Sequence, residues 1–247
     1  MKFYSLTCKF VYLETVDSTN AYAQSYASKC DPNEFTVIYT YNQSLGKGQI
    51  GRKWYSGSDE NLSFSIIYFP EHLEATESFR LLQHVSLAIT EALFELTQIR
   101  FNIKWPNDIY YNDKKLAGVL IQNTVREKKI QSCVIGIGIN INSDSFPKEL
   151  INPISLKQIT ARNYQLDAIM HQLGQSICKG IQRPFIDNNK SYLKQLYRLN
   201  EWYQYKDKVG EIFDGKIIGV DRIGRLQIED NSSEIRHFDI REIEFIL

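Results

Sequence analysis

From Ser78 to Leu96 the apolar residues Phe79, Leu82, Val85, Ile89, Leu93 and Leu96 recur at steps of three and four. That spacing predicts a long amphipathic helix with one buried face. Elsewhere the pattern changes to β-branched and aromatic runs. Val11 to Leu13, Phe35 to Tyr41 and Leu62 to Phe69 read as strands, the last ended by Pro70. Asp17 or Ser18 can cap a helix from Asn20 to Ser28. Ile99 to Trp105 returns to strand character before Pro106. Ile109 to Tyr111 and Lys115 to Val125 flank Asn112-Asp113, a hairpin turn, and Ile130 to Ile141 is a long apolar strand carrying two glycines. Helical spacing resumes near Gln165 to Ile181 and Ser191 to Leu199. Strands cluster and then helices, with little βαβ alternation. The order predicts an α+β fold, a mixed, largely antiparallel sheet with helices on one face.

Beyond Trp202 the texture shifts to short strand-like runs separated by Gly224 and Asn231-Ser232-Ser233. Their spacing predicts a small C-terminal β-barrel of SH3-like size. The boundary falls near 200–207, giving units of 1–203 and 204–247.

Composition narrows the function. Of 247 residues 43% are hydrophobic and 23% charged, ordinary for a globular protein. Lys plus Arg and Asp plus Glu both number 29, without the basic excess of a dedicated nucleic-acid binder. The cysteines Cys8, Cys30, Cys133 and Cys178 show no CxxC spacing. Neither a zinc site nor a disulfide framework is indicated, and no metal-ligand set is expected. Signal-peptide and membrane-spanning runs are lacking, which points to a cytoplasmic location. His84 lies one residue before a stripe position of the long helix and reads as boundary or surface.

The chemistry concentrates in a few segments. Gly46-Lys47-Gly48-Gln49-Ile50-Gly51-Arg52-Lys53-Trp54 is a glycine-spaced basic loop ending in a large aromatic. Glycines let backbone N–H groups curl toward an anion, cations add charge, and a Trp offers a face for a ring. Alone, the loop reads equally well as surface turns. It matches neither the GxxxxGK[ST] phosphate loop nor a GxGxxG that opens a helix. Strand alternation in Phe101 to Trp105 sets Lys104 opposite Ile103 and Trp105. A lysine there could orient a carboxylate or neutralise a phosphoryl group, while Trp105 packs in the core. Asp17-Ser18-Thr19-Asn20 offers more small polar groups than a cap requires. Gly118, Gly136 and Gly138 sit in apolar strands, where glycine is costly unless another backbone or a ligand approaches closely.

Taken in order, STN at 18–20, QxxGKGQxGRKW at 43–54, KWPNDI at 104–109, KLAGVL at 115–120 and GIGIN at 136–140 resemble the biotin–protein ligase family, also called biotin–[acetyl-CoA-carboxylase] ligases. The resemblance implies a catalytic domain related to lipoate ligases plus an SH3-like C-terminal domain. It implies that biotin reacts with ATP to give biotinyl-5′-AMP, which then acylates a lysine of a biotin carboxyl carrier domain. Mg²⁺ would ride on the ATP phosphates.

By motif, Ser18, Thr19, Asn20, Gln43, Lys47, Gly48, Gln49, Lys104 and Gly118 would bind biotin. Lys47, Arg52, Trp54, Lys104 and Asn140 would serve ATP, with Trp54 stacking on adenine and Asn140 near the nucleotide. Lys104 and Arg52 would carry the catalysis. The family loop is richer in arginine, so Lys47 and Gln49 are departures; Gln49 in particular removes a charge and implies weaker retention of the intermediate. The STN segment begins at residue 18, leaving no room for the DNA-binding domain of some relatives, and no DNA role is expected. A homodimer stays open. The alternatives are a lipoate or octanoate ligase on the same fold and a non-catalytic adaptor for a carrier domain.

Overall fold

The computed structural model describes residues 7–51, 53–57, 59–183 and 189–246. Its larger sheet comprises β1 (Thr7–Tyr12), β2 (Glu34–Thr40), β3 (Leu62–Tyr68), β4 (Asn102–Lys104), β5 (Asp108–Tyr111), β6 (Lys114–Arg126) and β7 (Lys129–Ile139). The spatial order is β1-β2-β3-β7-β6-β5-β4. All pairings are antiparallel except β1 with β2. A parallel neighbour needs a crossover, and α1 (Thr19–Tyr26) supplies it. This one βαβ unit makes the sheet mixed.

β2 and β3 are buried along nearly their whole lengths, because the sheet is covered on both sides. Val37, Phe64 and Ile66 point to the main core beside α2 (Ser78–Thr97) and α4 (Leu166–Gln182). Their alternates Ile38 and Ile67 join Val134 and Ala23 of α1 in a second cluster. The long helices share one face, as the stripe predicts, and the short α1 lies on the other. Two further short α-helices are α3 (Leu156–Thr160) and α5 (Asn189–Lys194); α5 is shorter than the expected 191–199 run.

α2 is buried continuously from Leu81 to Thr90. The sheet takes its apolar stripe, while α4 covers the reverse side so closely that a Cβ on Gly180 would lie 2.5 Å from the Ala88 Cβ. His84 is therefore not at a boundary or on the surface: it is 5% exposed, with Nε2 3.0 Å from the Ile181 carbonyl. The stripe marks only the sheet-facing side and carries no sign of a helix laid across the other.

The C-terminal strands β8 (Trp202–Asp207), β9 (Ile212–Val220), β10 (Leu226–Asp230), β11 (Ile235–Phe238) and β12 (Ile243–Phe245) form an antiparallel sheet in the order β11-β10-β9-β8-β12. Among the described residues it is an open sheet, not the closed barrel expected from the strand spacing. Its edge strands hold only four and three residues, too few to wrap round and pair. Tyr205, Ile217, Leu226 and Ile228 nevertheless belong to the main core, continuous with the larger sheet. No helix among the described residues is long and apolar enough to cross a membrane.

Candidate functional site

Directly paired residues on neighbouring strands project to the same side of a sheet. One such row reads Ser63 on β3, Gly138 on β7, Gly118 on β6, Asp108 on β5 and Lys104 on β4. The next reads Ser65, Gly136 and Leu120. Both lie on the α1 side, in line with Ile67 and Val134. Three glycines at the centre leave a floor without side chains, and other groups fill the gap. A Cβ on Gly136 would lie 2.1 Å from Asn20 Oδ1, and one on Gly138 would lie 2.2 Å from the Trp54 indole. One on Gly118 would meet both Lys115 Nζ and the Trp54 ring at 3.3 Å. The groups that approach those strand glycines closely are side chains, those of Asn20, Trp54 and Lys115, rather than a second backbone or a ligand.

The start of α1 stands over the second row. Ser18 caps the helix, its Oγ accepting from Ala21 N at 3.4 Å. Thr19 N donates to Gln43 Oε1 at 2.8 Å. Ser65 Oγ lies 2.8 Å from Thr19 Oγ1 and 2.6 Å from Asn20 Oδ1. Asn20 Nδ2 donates to Gln122 Oε1 at 3.0 Å, and Gln43 Nε2 to Ser56 Oγ at 3.3 Å. Ser18, Thr19, Asn20, Ser63 and Ser65 are all buried. This end of the site is rich in amides and hydroxyls and contains no formal charge.

The other end is ionic. Lys115 Nζ pairs with Asp108 Oδ1 at 2.7 Å and stands 5.6 Å from the Trp54 ring centroid. The glycine-basic loop closes this end. Its base is pinned by Trp54 N donating to Gly46 O at 2.9 Å and by a bridge between Lys47 and Lys53. Gln49–Gly51 forms a single short 3-10 turn at the tip. Arg52 lies outside the described residues.

A cavity of about 50 Å³ remains between these parts. It is lined by Ser18, Thr19, Asn20, Gln43, Lys47, Gly48, Gln49, Trp54 and Gly118, so most residues singled out by sequence converge on one place. Lys104 and Asn140 do not line it. Lys104 ends the first row, with Nζ 3.1 Å from Tyr110 Oη and 4.8 Å from the Phe245 ring centroid. Asn140 is buried; its Nδ2 donates to Ile154 O at 3.1 Å, while its N–H donates to Leu116 O at 3.0 Å. It braces the strand that carries Lys115. Sequence reasoning passed over Lys115, Asp108, Ser63 and Asn107, all of which line the cavity, and over Ser65 beneath it. The alternation of Ser63 and Ser65 with Leu62, Phe64 and Ile66 did signal one shared polar face.

Known proteins resemble this chain along most of its length. The model of the biotin/lipoate A/B protein ligase family matches residues 12–140. The bifunctional ligase/repressor BirA of Bacillus subtilis is 29% identical over 235 residues, covering 90% of this chain and 69% of that protein. The biotin–[acetyl-CoA-carboxylase] ligase of Paracoccus denitrificans is 30% identical over 131 residues, 52% of this chain and 53% of its own. Among solved structures, the biotin protein ligase from Aquifex aeolicus in complex with biotin and ATP superimposes with a TM-score of 0.77. It is 26% identical and covers 96% of this chain and 97% of that one. The motifs that build the floor, the α1 cap and the closing loop all lie within the matched residues 12–140, and the chain belongs to the biotin/lipoate A/B protein ligase family.

Proposed function

We propose that this chain is an ATP-dependent biotin–protein ligase and that the cavity beside α1 is where biotin is activated. The observation that carries the reading is the division of that cavity into an uncharged amide-and-hydroxyl end and an ionic end where Lys47 and Lys115 stand with Asp108. A ureido ring both donates and accepts hydrogen bonds, and Ser18, Thr19, Asn20 and Gln43 can meet it in both senses. A carboxylate and a phosphate need cations, which Lys47 and Lys115 supply. A dithiolane ring offers this end neither a strong donor nor a strong acceptor, so it would gain no polar contacts there, which disfavours lipoate.

In the first step a biotin carboxylate oxygen attacks the α-phosphorus of ATP and pyrophosphate leaves. In the second, a lysine amine of a biotin carboxyl carrier domain attacks the acyl carbon and AMP leaves. Neither step asks the protein for much acid–base work, and both ask for positioning and charge. Lys115, held by Asp108 beside the bare floor, is the cation placed for the reacting carboxylate. Lys104 at the end of the row and Arg52 would bring charge to phosphates reaching out of the cavity. Mg²⁺ bound to ATP would neutralise part of the phosphate charge. The loop 46–54 would cover the mixed anhydride and keep water from it.

Residues 1–203 form the catalytic unit in this reading, 204–247 an appended one, and the protein works in the cytoplasm on the carrier domain of a carboxylase. Biotin-dependent ATP–pyrophosphate exchange tests it. Exchange with biotin and none with lipoate is expected; wild-type protein without exchange would leave the adaptor reading in its place.

A further inference from the structure

The segment Lys104-Trp105-Pro106-Asn107-Asp108 joins the C-terminal sheet to the cavity. Trp105 is 5% exposed, and its Nε1 donates a 2.9 Å hydrogen bond to the carbonyl of Gly224. Gly224 closes the turn between β9 and β10. Asp221 holds that turn rigid: its carbonyl accepts from Gly224 N at 3.1 Å, and its carboxylate accepts from Ile223 N, Arg225 N and Arg225 Nε. The turn is also wedged against α2. Gly224 has φ +99°, and a Cβ on it would lie 2.6 Å from the Phe79 ring. The carbonyl that receives Trp105 is therefore fixed from both sides.

On the other side of Trp105, Asn107 is bound in both directions to β6. Its O accepts from Val119 N at 3.1 Å and its Nδ2 donates to Val119 O. Asp108 follows and holds Lys115. Only Pro106 separates Trp105 from Asn107, and its ring stiffens the link.

We propose that Trp105 is a positioning residue through which the C-terminal sheet sets the Asp108–Lys115 pair for catalysis. The inference rests on the ligase reading above. A hydrogen bond spanning 119 residues of sequence registers the turn at Gly224 against the strand ends that form the ionic end of the cavity. Losing it frees the segment to shift by a fraction of an ångström, enough to misplace a cation that acts on a developing charge.

The test uses the full chain with Trp105→Phe, which keeps a large ring and deletes the N–H. In ATP–pyrophosphate exchange, kcat should fall about tenfold while KM for biotin stays within twofold, because the ureido end is untouched. Asp108→Asn alone should lower kcat, and adding Trp105→Phe to it should cost little more, since both act on the same lysine. Hydrogen–deuterium exchange should show faster exchange in the peptide holding Val119 and no change in β2 and β3. Full additivity with Asp108→Asn, or an unchanged kcat with an unchanged Val119 peptide, would overturn the proposal. If wild-type protein shows no exchange at all, the ligase reading falls. The hydrogen–deuterium measurement still decides whether Trp105 holds the segment.

Discussion

The Trp54 indole occupies the space that a side chain on Gly138 would need, 2.2 Å from where its Cβ would stand. The indole Nε1 is buried there without an acceptor among the described residues, a costly arrangement that a ligand group could relieve. A cavity of about 50 Å³ is left beside it, and the indole takes up floor that a bicyclic ligand could cover. Gly138→Ala should drive the indole off the floor. Its expected signature is a red-shifted Trp54 contribution to fluorescence, isolated by subtracting Trp54→Phe spectra; biotin binding should also weaken at least tenfold, because the new methyl itself stands on the floor that the ligand would cover. An unchanged spectrum with unchanged affinity would show that the indole is not seated on Gly138.

Two lysines compete for the role of catalytic cation, and the geometry separates them. Lys115 lines the cavity and is held by Asp108 at 2.7 Å. Lys104 is turned toward Tyr110 and Phe245. Removing a group aimed at developing charge costs about 10²–10³ in rate. Lys115→Ala should lose that much in the first step, and Lys104→Ala should lose less, mainly through KM for ATP. Single-turnover formation of biotinyl-AMP measures both. A larger rate loss in Lys104→Ala would reverse the assignment.

The loop lining tests the cost of its missing arginines. Gln49 stands at the cavity where the related loop pattern carries a cation. A guanidinium there could fork onto a phosphate, and an amide cannot supply the charge. Gln49→Arg should slow release of biotinyl-AMP several-fold in a chase with unlabelled intermediate. Release at the wild-type rate would mean that residue 49 does not contact the nucleotide half.

Much of this was legible from the chain because local chemistry and position coincide. The α1 cap and the strand glycines each looked anomalous for plain structure, the basic loop read as site only beside them, and all three meet at one cavity. Lys115 escaped for a physical reason. It is the second residue of β6, just after a turn, where a lysine needs no special explanation, and the register slips at Ile109/Tyr110, so simple alternation cannot assign its face. Lys104 was favoured because alternation did place it on the right side. Only the strand order shows that it sits at the row's outer end. The helix covering His84 and the turn that receives Trp105 are long-range partners, and neither leaves a periodic trace.

Burial gives His84 a measurable effect on stability. Desolvation pushes its imidazole below the ordinary range, against the Ile181 carbonyl, which favours the protonated ring; nearby Arg183 adds to the lowering. The unfolded chain, with an ordinary histidine near pH 6.5, then binds a proton more readily than the folded one. Stability from the neutral buried ring is complete above about pH 6.5 and is lost as pH falls through the lower folded value, at up to about 1.4 kcal/mol per pH unit. His84→Gln keeps a donor for the Ile181 carbonyl and cannot titrate. Its urea midpoint should fall less between pH 7 and about pH 5 than that of the wild type, although it starts lower because the side chain packs differently. Parallel declines in the two proteins would assign the acid sensitivity to other groups.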